Sequence, residues 1–209
     1  MIAKFLSMLA KVIWIKELGL LNGVVLIVSI YVHEYGHYFM ADALKLKPKH
    51  PRFIPFLGAY VMYDETYDNK KLFKVAVSGP LLGGVLGVIS FYINLIYPND
   101  LFYQLALYSL LLNLINLIPF SILDGAHIIE ALQFNKLYLL FSIILVILAI
   151  YTEIYMMIVL GVLGFIKYIY TGSIKDKLKP MNEDDKSFGI FVYFGLIVVL
   201  GIHLYFLLN

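Results

Sequence analysis

Residues 18–44 read LGLLNGVVLIVSIYVHEYGHYFMADAL, an apolar stretch that carries His33, Glu34 and His37 in its second half. A run of this length is enough for a helix across a hydrocarbon core about 30 Å thick. Inside such a helix, two imidazoles and a carboxylate are costly, so ionisable groups there default to a functional role. Their order, HExxH, has a mechanical meaning. Histidines at i and i+4 project from one helix face close enough to share a metal ion, and the glutamate beside the first can reach a water at that metal. The stretch therefore reads as a spanning helix that bears the zinc-hydrolase arrangement.

The rest of the chain agrees with a lipid setting. Of 209 residues, 62% are hydrophobic and 14% charged, far from the balance of a soluble domain. There is no cysteine, which excludes disulfides and thiolate ligands and leaves histidines and carboxylates to hold any metal. The net charge of +2 is small and the basic residues are scattered beside apolar runs, which argues against a nucleic-acid partner. The apolar run from Leu18 continues into charged residues with no small-residue cleavage site, so it is expected to remain as the first helix rather than be removed as a signal peptide.

Six crossings are expected, at about Leu18 to Leu44, Leu72 to Tyr97, Leu101 to Ile118, Leu137 to Tyr151, Ile154 to Thr171 and Phe188 to Leu208. The fold class is thus an all-α polytopic membrane protein with about six transmembrane helices and a short strand in the loop after the HExxH helix. It divides into an interfacial segment over 1–17, a catalytic membrane core over 18–134 and additional helices over 135–209. Leu137 to Thr171 is also long enough for one tilted helix, but Thr152 and Glu153 at its centre favour a tight hairpin. Lysines and Arg52 fall mostly on one side under this count, while Pro98 to Asp100 and Thr152 to Glu153 carry none, so the positive-inside rule makes that side cytoplasmic. The expected location is the cell membrane, multi-pass, with the site nearer the cytoplasmic face. Lys4, Lys11 and Lys16 run against the rule, and Ile2 to Ile15 stays open between an interfacial helix and a partial crossing.

Between the first two crossings, Pro48, Pro51 and Pro55 punctuate a polar loop that then carries the apolar run Phe56 to Tyr63. A strand there would be unpaired unless it forms a hairpin or accepts another extended chain.

Hydrolytic zinc takes three protein ligands and leaves a fourth position for water. Asp124 is the outstanding third candidate. Pro119 interrupts the helix before it and Gly125 permits a sharp turn after it, and broken backbone at membrane depth is tolerated where it lines a wet cavity. The alternative is an ordinary helix end in which Asp124 caps the next helix near Ala126. Gly79, Pro80, Gly83, Gly84 and Gly87 read as a close-packing stripe. His50, His127 and His203 read as loop, cap or helix-end residues.

HEYGH at 33–37, Ser78-Gly79-Pro80, the Gly58-Ala59 pair and the Asn116, Pro119, Asp124, Gly125 pattern together resemble the site-2 protease family of intramembrane zinc metalloproteases. The likeness runs from the HExxH helix through the helix after Asp124. It departs at Ala126, where the family often has a second glycine. The resemblance implies one zinc ion per chain held by His33, His37 and Asp124. It also implies Glu34 as general base and acid, and Asn116 near the substrate carbonyl, where helix packing is the plainer reading. The substrate would be a membrane-spanning protein. A metal-ion transporter using the same ligands is the alternative, and a catalytically inert scaffold is a third. HExxH with one distant Asp is a requirement of zinc hydrolysis rather than of transport.

Overall fold

The computed structural model describes residues 15–54, 58–120, 123–134, 136–152, 161–166, 169 and 179–209. Its elements are α1 (Leu20–Ala43), β1 (Arg52–Ile54), β2 (Gly58–Tyr60), α2 (Asn69–Ile96), α3 (Asp100–Asn116), α4 (Asp124–Ala131), α5 (Lys136–Thr152) and α6 (Glu183–Leu208). Residues 161–166 are also helical.

Among the described residues, α2 (28 residues) and α6 (26 residues) are long and apolar enough to cross a membrane. The polar site dilutes α1, although it has 24 residues. At 17 residues each, α3 and α5 reach about 25 Å at a rise of 1.5 Å per residue, a little short of the core thickness. The expected fifth crossing, Ile154 to Thr171, lies largely outside the described residues, as does the expected interfacial segment over 1–17. The described residues are therefore mostly helical, with one small sheet and two bilayer-length apolar helices.

The central helix is α2, packed against α1, α3, α4 and α6. Its glycines make this possible. A Cβ at Gly83 would meet the Asn113 side chain, at Gly84 the Leu200 side chain, and at Gly87 Leu110, so two neighbouring helices, α3 and α6, approach along one small-residue stripe. Two polar rungs join α1 to α3: Ser29 Oγ to Ser109 Oγ at 2.9 Å and His33 Nδ1 to Asn113 Oδ1 at 2.8 Å. The rungs fall at i and i+4 on both helices, so α1 and α3 run parallel. The outer face of α2 carries Leu81, Val85, Ile89, Tyr92, Leu95 and Ile96 exposed, and α5 and α6 carry similar stripes. In water, apolar patches of that size would need covering.

Helix starts follow local chemistry. The Asp68 side chain caps α2 by accepting from the backbone N–H groups of Lys70 and Lys71. At α6, the Asn182 side chain accepts from Asp185 N–H at 2.7 Å, and Glu183, Asp184 and Asp185 occupy the first turn, where the helix dipole favours negative charge. The helix thus begins five residues before the expected Phe188, because this acidic run is a first turn rather than a loop. The two starts are tied together. Lys70 pairs with Asp185 at 2.7 Å, Lys179 N–H donates to the Tyr67 carbonyl at 2.7 Å, and Asn69 N–H donates to the Lys179 carbonyl at 3.1 Å. Hence α2 and α6 begin at the same end of the molecule.

The expected strand is shorter than Phe56 to Tyr63 and forms a hairpin. β2 pairs antiparallel with β1, Phe53 opposite Ala59, and Gly58 enters it at φ +100°, a conformation that favours glycine. Phe53 is buried beside Ile30 of α1, which anchors the hairpin to the HExxH helix. Among the described residues the sheet has two strands, so the second edge of β2 pairs with no strand.

Candidate metal centre

His33 and His37 lie on the buried face of α1, one turn apart. Each has its Nδ1 already committed. The Asn113 amide nitrogen donates to the Ser109 carbonyl at 2.6 Å, which turns its Oδ1 toward His33 Nδ1. An amide oxygen only accepts, so His33 carries its proton on Nδ1. His37 Nδ1 lies 2.8 Å from the Val75 carbonyl, again an acceptor only, so His37 is protonated there as well. In its neutral form each imidazole then presents a bare Nε2 lone pair.

The two Nε2 atoms are 3.2 Å apart, and Asp124 Oδ2 completes a triangle at 3.1 Å from His33 Nε2 and 3.3 Å from His37 Nε2. Three lone-pair atoms with no proton among them repel one another unless a cation sits between them. Ligands at 2.0–2.1 Å from a tetrahedral zinc would be separated by about 3.3–3.4 Å, so the triangle has the size that such an ion requires. Asp124 Oδ2 is also buried with no hydrogen-bond donor, an orphaned acceptor that a metal would satisfy. The three residues fit a zinc ion.

Asp124 reaches the triangle from the break between α3 and α4. The α3 helix stops at Asn116, Pro119 has no N–H to continue it, and Phe120 N–H turns back to the Ile118 carbonyl at 2.7 Å. The residue before α4 is Leu123, and α4 has no side-chain cap, so Asp124 is a first-turn residue facing the histidines and not the cap of the next helix. Gly125 serves a different purpose from the expected sharp turn. It lies within α4 without a positive φ, and a Cβ there would collide with the carbonyl oxygens of Leu117 and Ile118. Close backbone approach is what requires glycine.

The Ser78-Gly79-Pro80 segment has an equally local reason. A Cβ at Gly36 would meet the Ser78 carbonyl, and one at Gly79 would meet the His37 ring. The small residues of α2 are packing residues, and what two of them pack against is one site histidine, His37, and the asparagine that supports the other, Asn113.

A cavity of about 180 Å³ opens beside the triangle, lined by Glu34, Asn116, Ala59, Tyr60, Tyr63 and His127 among others. Glu34 is 7% exposed. Asn116 gives one amide N–H to the Leu112 carbonyl at 3.0 Å, leaving the second for the cavity. All five residues singled out by sequence, His33, Glu34, His37, Asn116 and Asp124, therefore share one cavity. Two others, Asn113 and Tyr63, were missed, and His127 was read as a cap or surface residue that could assist the site. Asn113 looked like an ordinary helix polar residue, and its partner His33 is 80 positions away. His127 had a usable signal, three residues after Asp124 on the same helix face. Tyr63 follows β2, and burial, helped by the carboxylates of Asp124 and Glu130, raises its phenol above the ordinary value, so it faces the cavity as a protonated donor.

Residues 23–100 match the family model for peptidase family M50. A zinc metalloprotease of Methanocaldococcus jannaschii is 28% identical over 118 residues, covering 54% of this chain and 34% of the relative. A protein of Synechocystis named as a zinc metalloprotease is 29% identical over 136 residues, 63% of this chain and 35% of the relative. A chloroplast zinc metalloprotease of Arabidopsis thaliana is 36% identical over 86 residues, 38% of this chain and 16% of the relative. The chain thus spans about a third or less of the length of these relatives. Among solved structures, the site-2 protease from Methanocaldococcus jannaschii shares the fold at a TM-score of 0.50, with 21% identity, 78% of this chain and 79% of that one covered. With an HExxH helix, a helix break that delivers an aspartate to it, and this set of matches, the chain is similar to peptidase family M50 over residues 23–100 and shares its fold with a site-2 protease.

Proposed function

We propose that the protein is a zinc-dependent intramembrane endopeptidase that hydrolyses peptide bonds in or near transmembrane segments of membrane-protein substrates. The observation that carries this reading is the triangle of His33, His37 and Asp124, three ligand atoms at the spacing of a tetrahedral ion, with a glutamate and an asparagine on the wall of the same cavity. The single triangle among the described residues supports one zinc per chain. When bound, it supplies Lewis acidity, acidifying a water and polarising the scissile carbonyl.

The side chains supply the rest. Glu34 takes the proton of the attacking water and returns it to the departing amine. The free N–H of Asn116 donates to the carbonyl oxygen as negative charge develops there. A helical substrate hides its peptide bonds, so it must extend first. Ala59 and Tyr60 of β2 line the cavity, and the unpaired edge of that strand offers a template to which a substrate adds as a third strand.

Topology supports the membrane reading. That α2 and α6 begin at one end supports an odd number of crossings between them. The α3 helix followed by the hairpin expected from the sequence over 137–171 would satisfy this, and α3 followed by a single long helix would not, which supports six crossings in all. His37 binds the carbonyl of Val75, six residues into α2, or about 9 Å at 1.5 Å per residue. The site therefore sits below the lysine-bearing end, on the cytoplasmic side by the positive-inside rule.

The test is cleavage of a panel of single-span membrane peptides by purified protein in detergent. Wild type should cut, and both Glu34→Gln and chelated wild type should not. Retained metal with no cut in any peptide would count for metal transport instead.

A further inference from the structure

The C-terminal helix α6 lies outside the region that carries HExxH and Asp124, yet it touches the break that delivers Asp124. Tyr193 is buried, 3% exposed, and its hydroxyl donates to the carbonyl of Leu117 at 2.7 Å across 76 residues of sequence. Leu117 is the C-cap of α3. Carbonyls in the last turn of a helix lose their intrahelical donors, and Leu117 is itself 1% exposed, so this oxygen needs a donor within the protein. The same oxygen is the atom that a Cβ at Gly125 would strike. One carbonyl is therefore held from two sides, by the hydroxyl of Tyr193 and by the backbone of the residue next to Asp124.

The donor is itself fixed. One turn before Tyr193, Gly189 lets α6 approach Leu132 and Phe73, and two turns after it Leu200 fills the space over Gly84. Along its length α6 packs on α2 and α3, and its start is paired to that of α2 through Lys70 and Asp185.

We propose that Tyr193 is a positioning residue for the metal centre: by fixing the Leu117 carbonyl against Gly125 it sets where Asp124 stands, and so couples the C-terminal helix to zinc affinity. This rests on the metal-centre reading above. Outer partners that orient a ligand typically change metal affinity 10–100-fold when removed, and Tyr193 acts through one intervening peptide, so an effect of about 10-fold is expected.

The experiment uses the full chain in detergent, with zinc affinity measured by chelator competition and site geometry by the visible spectrum of the cobalt(II)-loaded protein. Tyr193→Phe should elute and melt like wild type, bind zinc about 10-fold more weakly and shift the cobalt bands, while Tyr205→Phe, at an exposed position of the same helix, should match wild type. A double variant with Gly125→Ala should lose less affinity than the two single losses combined, because both act on one carbonyl. Unchanged affinity and spectrum in Tyr193→Phe would overturn the proposal. Should that variant fail to fold, 3-fluorotyrosine at position 193 replaces it, keeping the ring and strengthening the donor; an altered cobalt spectrum supports the coupling and an unaltered one refutes it. A wild type that binds no metal would instead overturn the metal-centre reading, and the proposal with it.

Discussion

The two arms of the metal triangle are built in different ways. On the histidine arm every ligand has its own hydrogen bond: His33 is held by Asn113 of α3 and His37 by Val75 of α2, and glycines at 36 and 79 bring α1 and α2 close enough for the second. On the aspartate arm Oδ2 accepts no hydrogen bond, and the side chain is placed by backbone alone, through the Pro119 break, the close contact of Gly125 and the hydroxyl of Tyr193. One arm fixes side chains within a regular helix pair, and the other fixes a chain break. Regular helices keep two imidazoles at i and i+4 with little further help. A carboxylate brought from 87 positions beyond His37 needs its loop stopped, turned and pinned.

This difference can be broken from either side, and the largest effect lies with catalysis itself. Asn116→Ala should lower kcat by about 10²–10³-fold, the usual loss when one donor to a developing oxyanion is removed, with zinc content unchanged; steady-state kinetics on a cleaved peptide and metal analysis of the same sample check this. Next is the histidine arm. Asn113→Ala should weaken zinc binding about 10–100-fold by freeing the His33 ring, and Asn113→Asp, which keeps an acceptor, should recover much of the loss in a chelator competition. Gly36→Ala should cost about 1–3 kcal/mol of stability, since backbone rather than a movable side chain meets the new methyl, and a denaturation midpoint measured in detergent reads it. The smallest effect is expected at Ser29→Ala, which breaks the outer rung to Ser109 and should cost about 1 kcal/mol or less while zinc affinity holds.

The same contrast decided what could be read from the sequence. HExxH was legible because its geometry is contained in five residues of one helix. Asp124 was legible from Pro119 and Gly125, though for the wrong local reason in the case of Gly125, whose role is contact with two carbonyls rather than a turn. Asn113 and Tyr193 were not legible, because each acts on a partner about 80 positions away and looks by itself like a packed polar residue. The strand was anticipated as Phe56 to Tyr63 but not its partner Arg52–Ile54, which follows two prolines and has no alternating pattern of its own. The start of α6 was placed late because three acidic residues resemble a loop until Asn182 is seen to cap them.

The most direct test of the metal centre is zinc K-edge X-ray absorption on purified wild type and Asp124→Ala. Wild type should show two imidazoles and carboxylate oxygen at about 2.0–2.2 Å, and the variant should lose the carboxylate contribution while keeping the imidazole pattern or should lose zinc altogether. A wild-type spectrum with three imidazoles, or one that Asp124→Ala leaves unchanged, would contradict the assignment of Asp124 to the triangle.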